Sequence, residues 1–178
     1  MPDANSSAEA FFRIVNARRS VRKFTAEPVP RQVLEKIAAA GLEAPSGMNA
    51  QLRRYILVDN AKVMDAIRGI SPSLKTAPAA IVILIEPKET KYGAFWTQDA
   101  SAAMENMLLA ATALGYAACW VEGAVRRAEA ELRKTLGVPP NLMVWSVLPV
   151  GRADGETPRP EKMPFSEAVH YNRFGARK

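Results

Sequence analysis

QDASAAMENMLLAATALGYAACWVEG, residues 98–123, organises the reading of the whole chain. Residues 98–114 carry Ala, Met and Leu on nearly every side, with neither proline nor glycine, and predict one long helix. A helix apolar almost all round has no face to give to water, so it lies in a core or at a subunit interface. Gly115 stops it. Residues 117–121 then predict a strand, which runs into Trp120-Val121-Glu122-Gly123.

Three more strands flank this unit. Tyr55-Ile56-Leu57-Val58 is one, and 143–150 is another. Residues 79–85 are continuous, rich in Ile and Val and bounded by Pro78 and Pro87, the signature of a central strand buried on both faces. Helices are predicted over 7–17, 31–42, 61–69 and 126–136. The first shows Ala8, Phe11, Phe12 and Val15 at helical spacing, with Ser6 or Ser7 available as its cap. The second buries Val33, Leu34, Ile37, Ala38 and Leu42, and breaks into a loop at Pro45, Ser46, Gly47 and Asn49. Asp59-Asn60 caps the third; Gly137 and Pro139 end the fourth. Residues 88–96 form a polar, aromatic connection. The proline-rich tail after Gly151 carries Arg152, Arg159, Lys162 and Arg173, and is expected to wrap another surface. No repeat or second domain is evident, so residues 1–178 are expected to form one domain, a normal size for a single core.

Composition narrows the chemistry. Hydrophobic residues make up 48% and charged residues 24%, which is globular, and the net charge of +6 attracts anions without saying which. Cys119 is the only cysteine and His170 the only histidine. That rules out an intrachain disulfide and the usual four-ligand zinc site, so no metal site is expected. Chemistry here is expected to come from a cofactor or from binding, with no catalytic side chain assigned. The start of the chain lacks the pattern of a signal peptide, and no apolar run is long enough to span a bilayer as a helix. A cytoplasmic protein with no membrane partner is expected.

Arg18-Arg19-Ser20-Val21-Arg22 packs three guanidinium groups and a hydroxyl into five residues. Guanidinium is planar, permanently charged and able to grip phosphate through paired hydrogen bonds. The segment is either a phosphate anchor, for nucleic acid or a small cofactor, or a solvated basic patch. No GxGxxG, Walker A, HExxH or CxxC motif occurs.

Taken in order, RRSVRKF (18–24), APSGMNAQ (44–51), residues 98–123, LGVPP (136–140), Pro149-Val150-Gly151 and SEAVHYNRF (166–174) resemble the nitroreductase family of FMN-dependent oxidoreductases. The resemblance covers nearly the whole chain. It implies an α+β fold, a mainly antiparallel sheet flanked by helices, in an intertwined homodimer with FMN at the interface and the 152–178 tail across the partner. It implies hydride transfer from NADH or NADPH through flavin N5 to a nitroaromatic, quinone or similar small-molecule acceptor, in a ping-pong cycle.

By position, the resemblance gives Arg18, Arg19, Ser20 and Arg22 to the ribityl phosphate of FMN, with Arg159 and Lys162 completing the phosphate site and Arg152 in reserve. Pro45, Ser46, Gly47, Asn49 and Gln51 would reach the flavin held mainly by the partner, Asn and Gln facing its pyrimidine edge. The chain departs from many relatives at Leu52-Arg53, where they place Pro and an aromatic residue, which unsettles the local turn. Glu122 and Gly123 would bring backbone amides to N5 and O4, where they stabilise negative charge on the reduced ring; the Glu122 side chain itself is equally a surface or capping carboxylate. Gln98 and Asp99 are expected at a helix start, and Cys119 as a buried apolar residue.

Two alternatives stand beside this. One is the same scaffold in another flavin task, such as reductive dehalogenation or oxidative dehydrogenation. The other is a small basic nucleic-acid binder, disfavoured because the basic residues are interspersed with acidic ones and no nucleic-acid module appears.

Overall fold

In the computed structural model, residues 4–177 are described; residues 1–3 and Lys178, the ends of the expected domain, lie outside them. Strands β1 (Arg53–Val58), β2 (Ala79–Ile85), β3 (Ala117–Ala118) and β4 (Met143–Gly151) form one antiparallel sheet in the order β1-β2-β4-β3. Central β2 is buried throughout, as its unbroken apolar run predicts. Its side chains alternate between two cores. Ala80, Val82 and Leu84 join Met64, Ile67, Val125 and Leu132 on one face. Ile81, Ile83 and Ile85 join Leu34, Ile37, Met104 and Met107 on the other.

Those partners come from helices on both sides of the sheet. One layer holds α2 (Arg31–Leu42) and α4 (Trp96–Ala113); the other holds α3 (Ala61–Ile67), α5 (Gly123–Arg127) and α6 (Glu129–Leu136). The fold is therefore α+β, an antiparallel sheet flanked by helices. Caps explain several boundaries. The Asn60 side chain accepts from the Lys62 and Val63 amides at the start of α3, and Gly137, at φ 65°, ends α6.

Some boundaries differ from the sequence reading. Helix α1 (Ala4–Ala17) already contains Ser6 and Ser7, so neither caps it. Its contacts also differ: Ala10 and Ile14 are half-buried, whereas Phe11, Phe12 and Val15 are exposed. Leu42 likewise lies outside the core that α2 enters. The predicted helix 126–136 is two, broken at Ala128, whose φ of −107° and ψ of 15° depart from helical values. The predicted strand 117–121 keeps its ladder only at 117–118, then rejoins β4 where Val121 and Val147 exchange backbone hydrogen bonds of 3.0 and 2.9 Å. Opposite the register shift in β2, Trp145 bulges out of the β4 ladder and packs fully buried, 5.4 Å from the Trp120 ring.

The sheet also fixes the basic segment. Ser20 bridges Ala118 in parallel and the Val21 amide donates to the Ala118 carbonyl at 3.0 Å. On the far side, the Thr25 amide donates to Arg152 and the Asp154 amide to Lys23, each at 3.0 Å. Residues 20–25 are thus held between β3 and the start of the tail, with Val21 and Phe24 buried. Arg22 and Lys23, lying between those two anchors, face outward.

Candidate functional site

Beside this segment lies a cleft of about 680 Å³, lined by Arg18, Arg19, Ser20 and Arg22 from one end of the chain and Arg159 and Lys162 from the other. Val15 and Asn16 of α1, Glu105 of α4 and residues 157–160 of the tail complete it. Among the described residues, five cationic side chains therefore share one concavity with a single carboxylate. That carboxylate, Glu105, approaches Arg18 Nε only to 3.8 Å. Arg19 Nη1 donates to the Asn16 and Arg18 carbonyls at 2.6 and 2.8 Å, and Arg22 Nη1 to the Ser20 carbonyl at 3.2 Å. Arg159 and Lys162 have no hydrogen-bond or ion-pair partner among the described residues. Most of this positive charge is unneutralised, which suits a multiply charged anion with several acceptor oxygens. The cleft as a whole fits the phosphate end of FMN.

Arg152 is elsewhere. Its Nη1 donates to the Gly115 carbonyl at 2.6 Å, its Nε lies 3.5 Å from Glu27, and its guanidinium stacks on Tyr116 at 4.2 Å. Of the three basic tail residues considered, Arg159 and Lys162 line the cleft and Arg152 does not. Glu105, Thr157, Pro158 and Pro160 are cleft residues that sequence reasoning missed. A glutamate amid the apolar residues of α4 was the available signal.

The other predicted residues are not in this cleft. Pro45, Ser46, Gly47, Asn49 and Gln51 form a loop at the amino-terminal end of α4. Glu105 lies six residues further along that helix than Asp99, about 9 Å at 1.5 Å per residue. The loop is tightly built. The Gly47 amide donates to Asp99 Oδ1 at 2.8 Å, the Gln51 amide to Ser46 Oγ at 3.1 Å, and Gln51 Nε2 to Asn49 Oδ1 at 3.0 Å. Met48, Asn49 and Gln51 take φ values of 54°, 54° and 50°. Left-handed backbone at non-glycine residues costs about 1–3 kcal/mol each and persists only where the surroundings impose it. Here they are imposed by Asp99 and by buried Arg53, which donates to the Ala44 and Pro45 carbonyls at 2.7 and 3.1 Å. Asp99 is at the helix start as expected, with a further role as acceptor for the loop. Arg53, the departure from the family pattern, organises the turn that it put in doubt.

Glu122 and Gly123 stand at the start of α5, outside the cleft. Glu122 is half-buried, its Oε1 3.7 Å from Arg126 Nη1 one turn on. Cys119 is 2% exposed, and burial pushes its thiol up from the ordinary range, against the opposing pull of the nearby Arg22. It is a buried apolar residue in the sense expected, neutral at pH 7. A thiol reagent such as dithionitrobenzoate is expected to label it slowly in native protein and stoichiometrically after denaturation; rapid native labelling would show it accessible.

The nitroreductase family model matches residues 15–71 and 67–152, nearly all of the segment between α1 and the tail. This chain belongs to the nitroreductase family. A protein of Archaeoglobus fulgidus, provisionally named an NADH dehydrogenase/NAD(P)H nitroreductase, is 38% identical over 149 residues, covering 80% of this chain and 85% of its own. Among solved structures, an FMN-dependent nitroreductase of Clostridium difficile superposes with a TM-score of 0.78 at 28% identity, covering 90% of this chain and 98% of its own. A Desulfovibrio desulfuricans protein, provisionally called a nitroreductase and solved in complex with FMN, gives 0.79 at 26% identity, covering 92% and 97%. Among the described residues, no helix of this nitroreductase-family chain is long and apolar enough to cross a membrane.

Proposed function

We propose that this chain is an FMN-dependent oxidoreductase that takes hydride from NADH or NADPH and delivers it to a nitroaromatic, quinone or similar acceptor. The observation that carries the reading is the convergence of Arg18, Arg19, Ser20 and Arg22 with Arg159 and Lys162 around one anion-sized concavity, in a member of this family. FMN bound there would supply the two-electron chemistry that a ping-pong cycle between the two substrates requires. The protein's part is to bind, orient and tune. The cationic cleft holds the phosphate. The loop carrying Pro45, Ser46, Gly47, Asn49 and Gln51 would meet the ring system from the partner subunit, and the backbone at Glu122 and Gly123 would donate to its electron-rich edge.

This arrangement needs a second copy, and α1 supports one. Phe11 and Phe12 stack edge-on with ring centroids 5.5 Å apart, 53% and 61% exposed on a helix in which none of residues 5–17 is fully buried. Met163, Phe165 and Phe174 of the tail are exposed as well. Apolar surface of this kind marks an interface. We read the molecule as a homodimer formed by one domain per chain, with the tail across the partner, working in the cytoplasm where reduced nicotinamides are supplied.

Rapid mixing of the anaerobic, flavin-loaded protein with NADH and then with NADPH tests the activity. Bleaching of the flavin band by at least one of them within a single turnover, and its return on adding a nitroaromatic or quinone, is expected. Reduction by neither would assign the scaffold to a different flavin task.

A further inference from the structure

Arg53 opens β1 and is 4% exposed. Among the described residues no carboxylate oxygen lies within 4.0 Å of its side-chain nitrogens. It is held instead by three main-chain carbonyls: Nη2 donates to Ala44 at 2.7 Å, and Nη1 to Pro45 at 3.1 Å and Asp99 at 2.9 Å. Its Nε is buried without a partner. Desolvating a guanidinium is costly, and an apolar side chain would fill the end of a sheet more cheaply. What the charge provides here is a fork. One nitrogen ties the loop entry to the first turn of α4, and the next fastens the residue before it.

The two ends of that tie matter because of what lies between them. From Asp99, the side chain reaches back to the Gly47 amide, while its own carbonyl is gripped by Arg53. Arg53 and Asp99 therefore close a ring of contacts around Ala44, Pro45, Ser46 and Gly47, just before the left-handed run at Met48, Asn49 and Gln51. The loop cannot be moved without breaking a bond of a buried charge. We propose that Arg53 is a positioning residue for the flavin ring. It acts through the 44–51 loop, and it requires the planar guanidinium and not merely a positive charge. The proposal rests on the reading of the chain as an FMN protein.

Its signature is selectivity for the ring over the phosphate. Riboflavin carries the ring without the phosphate, so titrating each protein with FMN and with riboflavin separates the two ends of the ligand. In both Arg53→Lys, which keeps the charge, and Arg53→Met, which keeps the bulk, affinity for the two flavins is expected to fall together. The fall is about tenfold, the scale of one lost hydrogen bond to a charged group. The midpoint potential of bound FMN is expected to become more negative as donors near the ring are displaced, a change that lower folding stability alone would not produce. Lysine failing to rescue supports the requirement for a fork. Unchanged affinities and potential in either variant overturn the proposal while leaving the FMN reading intact; wild-type protein that binds neither flavin overturns both. Should the variants not fold, the Arg53 Nε–H resonance of ¹⁵N-labelled wild-type protein gives the answer. It is expected to shift as riboflavin saturates the site, and an unshifted signal overturns the proposal.

Discussion

Replacing Arg18 by Ala weakens FMN binding roughly tenfold to 150-fold, from a loss of about 1.5–3 kcal/mol for a hydrogen bond to a charged group. Two features of the cleft place this substitution above the other single ones. Arg18 lies on the cleft wall beside Glu105, the only carboxylate there among the described residues, at 3.8 Å. Removing it takes away a phosphate donor and also leaves Glu105 facing the phosphate unscreened, an added repulsion. Arg22→Ala, whose loss exposes no acid, is expected to cost less, and Glu105→Gln to tighten binding. Riboflavin affinity should barely change in any of the three. Fluorescence quenching titrations measure all of these, and FMN curves that superimpose on wild type for both arginine variants would refute the phosphate assignment.

The double substitution Phe11→Asp with Phe12→Asp is expected to convert the proposed dimer into monomers. Large aromatic anchors at the centre of an interface each contribute about 2 kcal/mol or more. Two together correspond to a rise of about a thousandfold in the dimer dissociation constant. Both rings are exposed in the single chain, so the change spares the two cores on either side of the sheet. Sedimentation at micromolar concentration should show the dimer in wild type and the monomer in the variant. Loss of FMN should accompany dissociation, because the loop around Gly47 then has no partner site to reach. A wild-type protein that sediments as a monomer when loaded with flavin would dismiss the interface altogether.

How much of this was legible in the residues varies with how local the cause was. The central strand was, because a continuous Ile- and Val-rich run between two prolines has few other fates, and β2 is buried from end to end. So was α4, a single long helix whose buried positions recur at helical spacing from Asp99 to Ala111. Gly137 and Asn60 announced their caps because helix ends are decided by adjacent residues. The misread features depend on distant contacts. Strand 117–121 looks uniform, but its register on β4 sets Cys119 opposite Pro149, which has no N–H to give, and the ladder lapses until Val121 meets Val147. Helix α1 carries an apolar stripe that its own chain leaves uncovered, which no periodicity distinguishes from a stripe facing its own core.

The site divides in the same way. Three arginines in five residues advertise an anion, and the cleft does gather Arg18, Arg19 and Arg22. The family resemblance named Arg159 and Lys162 with Arg152 in reserve, and the first two line the cleft while Arg152 turns to Gly115 and Tyr116; the tail's own residues, with little local structure, do not show that path. Arg53 looked like an irregularity in a turn. Only the three carbonyls around it reveal an organising charge, because main-chain acceptors leave no trace in sequence.

The visible spectrum of the purified protein, followed by identification of the flavin released on denaturation, bears most directly on the central claim. A flavin absorption profile with FMN in the supernatant, near one per chain after reconstitution, is predicted. Colourless protein whose spectrum and fluorescence do not respond to added FMN would contradict it.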